Sequence, residues 1–292
     1  MNSKMKRVFI DLDEGQVHVR FFDYLVNNNS NNPLVMFHGS PGSSKMLYRL
    51  ANQIAKNRIV ICPDTMGQGD SSIPIDRDED IDMNFFADIS IKTIKKLGYS
   101  EVDLFGHHTG ARIAIEFAIK EPQLVNKIIL DGMNAKKSEE RLEYAKTVDK
   151  SMLIDQAGRQ FHSVWNTLRD GYLFWPYNKT FSDNVRQVGL PSAEHFNEHF
   201  IEILKGVRSS HLAYKAALTY NAPARLPLVS NHTLATCAEY DVPWENGDSI
   251  EQVKNLMQNC LAKPHPQKMP ESRCTSHERL ELIKMYEEFL EN

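Results

Sequence analysis

The stretch FGHHTGARIA, residues 105–114, sets Gly106 and Gly110 on either side of His108. Before it stands the short apolar run VDLF (102–105), and after it Ile113, Ile115, Phe117, Ala118 and Ile119 make a segment that is apolar nearly all round. This reads as a strand running into a central, covering helix. A turn that tight needs small residues at its flanks so that the backbone can close, which Gly106 and Gly110 supply. The residue between them is pushed out beyond the strand end. Here that residue is a histidine.

Around this turn, LVMFH (34–38), RIVIC (58–62) and KIIL (127–130) are short apolar runs separated by helix-compatible stretches. Strands alternating with helices predict a parallel sheet covered on both faces. Two alternating segments, 8–12 and 17–22, flank Glu14-Gly15 and predict an antiparallel hairpin, and the Asn-rich NNNSNNP that follows reads as a loop. From about 136 to 220 the strand signal gives way to aromatics, histidines and charges, as in FHSVWNTLRDGYLFWPYN. The sheet resumes with HTLATCAEYD (232–241), and an amphipathic helix over 276–290 closes the chain. The last strand is expected within 262–273, although AKPHPQKMPESR carries three prolines, which suit an edge or a loop. The expected fold class is therefore α/β, a mostly parallel sheet flanked by helices. Residues 1–135 and 221–292 form its core, and 136–220 form an inserted helical block.

The 292 residues can bury a substantial core, and a formal charge of -4 with no run of Lys and Arg argues against nucleic acid as a partner. MNSKMKRVFIDLDEG turns acidic after three apolar residues, and no apolar run approaches a membrane span, so the expectation is a cytoplasmic protein without a membrane partner. Cys62, Cys237, Cys260 and Cys274 lack the close pairing of zinc or redox motifs and read as small packed thiols.

In an open parallel sheet, ligands gather beyond the carboxyl ends of the strands. Three glycine-rich loops fall there: HGSPGSS (38–44), DTMGQGDSS (64–72) and GHHTG (106–110). With these spacings the chain resembles the α/β-hydrolase superfamily over essentially its whole length. The family's His-Gly-x-Pro-Gly loop matches His38 to Gly42. Its Asp-x-Pro-Gly-x-Gly-x-Ser loop matches Asp64 to Ser71 with Met66 in place of proline. Its nucleophile elbow matches Gly106 to Gly110, with His108 where Ser, Asp or Cys belongs. The resemblance implies an eight-stranded-type sheet and makes 136–220 a cap over the site. It implies oxyanion donors at the Thr109 and Ser40 amides beside Gly39, and an acid at Asp241, with Asp131 at the family's other acid position. The family's catalytic histidine would fall near Ser272, not on a histidine, which leaves His265 or His277 as substitutes. His38 reads as a brace between loops and His107 as either pocket wall or packing. In the cap, Arg159, His162, Trp165, Arg169, Tyr172 and Trp175 are candidate lining residues, with Arg159 and Arg169 suited to a substrate carboxylate.

Four roles for His108 stay open at this point: a vestige in a binding protein, a nucleophile forming an acyl-imidazole, a general base, or a metal ligand with His107 and a carboxylate. The positive end of the following helix favours a neutral ring able to accept a proton. Side chains at a sharp turn are expected to diverge, which counts against a metal. The expectation is thus a cofactor-independent and metal-free enzyme acting on a small carbonyl-containing molecule. Ester, lactone or C–C bond hydrolysis is the default. A lyase, isomerase or cyclase reaction by proton transfer, or small-molecule binding without catalysis, is the alternative. A homodimer is left open.

Overall fold

The computed structural model describes residues 5–24, 31–74, 81–135, 139–147, 154–269 and 276–292. Most of the Asn-rich stretch, Ser272 and Cys274 lie outside the described residues. Eight strands form one sheet: β1 (Lys6–Leu12), β2 (Gly15–Phe22), β3 (Leu34–Phe37), β4 (Val60–Pro63), β5 (Val102–His107), β6 (Val125–Asp131), β7 (His232–Thr236) and β8 (Cys260–Ala262). Their order is β1-β2-β4-β3-β5-β6-β7-β8, with β1–β2 and β2–β4 antiparallel and the remaining pairs parallel.

Alternation along the strands divides the core into two layers. Val35, Phe37, Leu104, Ile128 and Leu130 face one side, where they meet α2 (Met83–Lys96) and α3 (Thr109–Lys120). Leu34, Met36, Phe105, Ile129 and Leu234 face the other, against α1 (Tyr48–Ile54) and the C-terminal helix (Ser276–Glu291). Each fully buried aliphatic or aromatic side chain of this kind contributes ~1.5–3 kcal/mol, so the central strands need no polar face. In α3 every residue from Thr109 through Ala118 is buried. Its one internal carboxylate, Glu116, accepts from Nε and Nη2 of Arg225 and from the Tyr220 hydroxyl.

The described residues between β6 and β7 include the helices α4 (Glu139–Thr147), α5 (Arg159–Leu173), α6 (Ala193–Lys205), α7 (Ser210–Thr219) and α8 (Ala222–Arg225). This insertion rests on the loops after β3 and β4. Ser43 Oγ donates to Glu202 Oε2 at 2.6 Å, Ser209 Oγ donates to the Gly67 carbonyl at 2.6 Å, and Lys205 Nζ lies 3.2 Å from Asp70. No helix among the described residues is long and apolar enough to cross a membrane.

The last strand differs from the sequence expectation. It is the three-residue β8, pairing Cys260 with Thr233 and Ala262 with Ala235, and the proline segment follows it instead of forming it. Proline cannot donate to a ladder, so pairing stops where the prolines begin.

Candidate active site

His108 stands between the end of β5 and the start of α3 with φ 50° and ψ −108°. Asn246 is the other non-glycine residue at positive φ among the described residues. Such a backbone costs ~1–3 kcal/mol and persists where its surroundings over-determine it. Here they do. The His108 amide donates to the Asp131 carbonyl at 3.0 Å, and Arg112 Nη1 donates to the His108 carbonyl at 2.9 Å. A Cβ on Gly106 would lie 2.4 Å from the Gly110 carbonyl oxygen, and one on Gly110 would lie 2.2 Å from that of Phe37. The ring projects beyond the strand ends with 35% of the side chain exposed.

Asp241, in the loop after β7, holds this ring: Nε2 lies 2.7 Å from Oδ2, while Oδ1 accepts the Val242 amide at 2.8 Å. Gly132 makes the space. A Cβ there would fall 2.4 Å from His108 Cδ2, 2.6 Å from Nε2 and 2.7 Å from Asp241 Oδ2. With a carboxylate as acceptor, Nε2 carries the proton and Nδ1 keeps its lone pair. Nδ1 is the ring atom opposite the Cδ2–Nε2 edge, so it points away from Gly132. Burial opposes ionisation of Asp241, but the facing His108, with His107 behind it, outweighs burial and holds its pKa at about 2.

A pKa depressed below the unfolded value of about 3.9 gives stability that is present above that pH and lost as pH falls toward 2. This single group contributes ~2 kcal/mol. Asp241→Asn should therefore flatten the fall in unfolding free energy between about pH 4 and 2, measured by urea melts. An acid limb as steep as that of the wild type would contradict the pairing.

A second chain of groups lies against the first. His107 Nδ1 is 2.8 Å from Asp131 Oδ2, His265 Nε2 is 2.7 Å from Asp131 Oδ1, and the Tyr286 hydroxyl is 3.3 Å from the same His265 nitrogen. Asp131 is buried, which opposes its charge, yet the two histidines hold its pKa far below the ordinary carboxylate range. The His107 and His108 rings stack, with centroids 3.9 Å apart and planes 20° apart. This corrects the expected divergence of their side chains. Strand alternation ends at His107, and the positive φ at His108 turns its Cβ back beside its neighbour.

His265, considered as a substitute triad histidine, is thus engaged by Asp131. His277 is 84% exposed on the last helix, 3.7 Å from Glu281 one turn on, and is removed from the site. His38 is buried and braced: Nδ1 lies 2.7 Å from the Gly39 carbonyl and Nε2 accepts the Thr65 amide at 2.9 Å, while burial pushes its pKa down. Gly39 lies on the histidine pair, since a Cβ there would be 3.4 Å from His107 Cδ2 and 3.5 Å from His108 Cβ. Ser40 follows it, its Oγ accepting Gln68 Nε2 at 2.6 Å, while Gln68 Oε1 takes the Gly42 amide at 3.0 Å. Thr109 opens α3, so its amide has no acceptor within the helix.

In the insertion, Arg159 is exposed and paired with Asp155, and Trp165 packs edge-on against Phe196 at 4.6 Å and Phe200 at 5.3 Å. Both side chains contact residues of the insertion itself. Arg169 pairs with the adjacent Asp170, and the Tyr172 hydroxyl lies 3.1 Å from His199 Nδ1. Reading the sequence missed Gln68, Gly132 and Arg186. The last donates to the Gly171 and Tyr240 carbonyls, tying α5 to the loop that carries Asp241. The Asp-Gly pair at 131–132 was the available signal for a close approach, whereas nothing local marks the other two.

The sequence pattern of the alpha/beta hydrolase fold matches residues 32–235, which run from the loop before β3 to β7 and include the elbow and both glycine-rich loops. The chain belongs to this family. Among relatives of the hydrolase fold, the chain is 31% identical over 124 residues to a proline iminopeptidase of Heyndrickxia coagulans, covering 42% of each chain. It is 36% identical over 103 residues to a 2-hydroxymuconate semialdehyde hydrolase of Pseudomonas sp. (strain CF600), covering 34% of this chain and 36% of that one. These matches span less than half the length of either relative. The whole architecture superposes on a thermophilic esterase from Thermogutta terrifontis with a TM-score of 0.70 at 18% identity, over 98% of this chain and 100% of that one.

Proposed function

We propose that the protein is a cofactor-independent hydrolase of a small carbonyl compound, an ester, a lactone or an activated C–C bond, with His108 as general base. The observation that carries this reading is the strained backbone of His108 together with its 2.7 Å contact to Asp241. A turn that aims one imidazole past the strand ends and backs it with an ionised carboxylate suits a proton acceptor.

The chemistry follows from the free lone pair. His108 Nδ1 takes a proton from water as the water oxygen attacks the carbonyl carbon, and the carbonyl electron pair moves onto oxygen. The amides of Thr109 and Ser40 receive that oxyanion, helped by the positive end of α3. Collapse expels the leaving group, which recovers the proton from Nδ1. Asp241 stays ionised throughout and stabilises the imidazolium. In this reading residues 136–220 act as a cap, supported by the bonds from α6 and α7 to the loops after β3 and β4.

A lyase or isomerase reaction is the second reading, favoured by the missing side-chain hydroxyl at position 108. The same nitrogen beside the same amides serves to remove a proton next to a carbonyl and hold the enolate. A panel of small esters, lactones and β-diketones, followed by product analysis in 18O-labelled water, separates the two: hydrolysis puts label into the acid product, and proton transfer does not. Acyl-imidazole trapped on His108 after acid quench would overturn the base role.

Restoring the familiar residue should not restore familiar chemistry. Serine is a weak nucleophile without an adjacent base; His265 turns its Nε2 to Asp131, and the His107 ring lies face to face beside position 108, its nitrogens not aimed at it. His108→Ser is expected to hydrolyse activated esters no faster than His108→Ala. A serine-dependent burst of product would show that another histidine reaches the elbow.

A further inference from the structure

We infer that His107, His108 and Asp241 form a binding site for a divalent transition metal of the zinc class, and that a bound ion competes with the base role of His108. One ligating atom from each of the three lies within 4.8 Å of the other two. Tetrahedral ligands about zinc stand about 3.3 Å apart, from bond lengths of about 2.0–2.2 Å, so the atoms need to close by about 1.5 Å at most. The rings lie side by side at 3.9 Å with planes 20° apart, so they must splay on binding for their in-plane lone pairs to converge on one ion.

The second observation is the outer layer. Asp131 accepts the Nδ1 proton of His107, which fixes the tautomer whose Nε2 is the metal ligand and raises its basicity. His265, on the other oxygen, holds that carboxylate in place. Two imidazoles and one carboxylate suit zinc better than magnesium or calcium, which prefer all-oxygen surroundings. The exposed third of His108 leaves a coordination position open to water.

The other cluster of this type among the described residues, His18, Asp64 and Asp70, is built differently. His18 takes Arg7 on Nε2 and binds Asp64 through Nδ1, while Asp64 accepts the Ser44 and Asp70 amides. Its polar atoms are spent on pinning loops.

At the histidine pair, the ion takes Nε2 of His108 in place of the proton shared with Asp241, and that proton moves to Nδ1. The lone pair proposed to accept a proton from water is then gone. The binding itself stands apart from the hydrolytic reading, and only the competition rests on it.

The test titrates chelator-stripped full-length protein with Zn2+ against a chromogenic competitor. We expect one ion per chain. His108→Gln and Asp241→Asn should each weaken binding about tenfold or more. Asp131→Asn, which touches no ligand atom but removes the outer carboxylate, should weaken it about tenfold. Far-UV circular dichroism checks that each variant is folded, and Asp241→Asn carries the test alone if His108→Gln is not. Unchanged affinity in the folded variants, or no stoichiometric binding by the wild type, overturns the site. Turnover of the wild type should fall as zinc saturates. Turnover that requires zinc would overturn the competition and the base role together, while the affinity measurements still report on the site.

Discussion

His108→Gln is expected to lower turnover at least about a hundredfold while ligand affinity changes little. Glutamine keeps the approximate length of the side chain and a group able to face Asp241 Oδ2, so the contact at 2.7 Å is conserved in outline. What disappears is a nitrogen basic enough to take a proton from water. A hundredfold is about 2.7 kcal/mol of transition-state stabilisation, the low end for a positioned general base. Steady-state kinetics, with product-inhibition constants as the affinity readout, measures both. Equal turnover in the two proteins would leave His108 as a residue that shapes the pocket and nothing more.

Gly110→Ala is expected to be the most damaging small change to the fold. Position 110 lies inside α3, where alanine would normally be preferred over glycine by ~1 kcal/mol. Sterics reverse that preference: the new Cβ meets Phe37 O at 2.2 Å, Phe37 C at 2.5 Å and Phe37 Cβ at 2.8 Å. Two of these are backbone atoms of β3, which cannot rotate aside, so helix and strand must separate. We expect a loss of at least ~3 kcal/mol, the upper range for overpacking, and a fall in melting temperature of about 6–12 °C. Gly98→Ala is the control. Gly98 sits at φ +85° with nothing within 4 Å of its added Cβ, so only backbone strain of ~1 kcal/mol applies. Equal melting temperatures for the two variants would show that the close contact between β3 and α3 does not govern stability.

The parts of the fold that were legible in the sequence are those encoded locally. Four apolar runs became β3 to β6 because a strand covered on both faces needs no polar alternation, and the spacing of Gly106 and Gly110 marked the turn because only glycine tolerates those contacts. Asp241 could be placed because it ends the run HTLATCAEYD just beyond a strand. The edge strand was harder, since three residues beside prolines carry almost no periodic signal. The linked histidines were out of reach for a different reason. The bond between His107 and Asp131 depends on the register of two parallel strands, which pairs those two residues across β5 and β6. The bond between Asp131 and His265 closes over 134 positions of chain. The neighbours of Arg159 and Trp165 were equally hidden. Their chemistry suits a ligand, but one is neutralised by Asp155 a turn away and the other is spent on aromatic neighbours.

Asp131 is shared by two histidines that come from distant parts of the chain, and this makes the buried carboxylate tolerant of loss on either side. A chain that loses His265 still holds Asp131 through His107, and one that loses His107 still holds it through His265. Neither single change strands a charge in the interior, which would cost several kcal/mol. As far as the Asp131 carboxylate is concerned, positions 107 and 265 can change one at a time, but not together. Homologues should show histidine missing from one of the two positions far more often than from both while Asp131 remains.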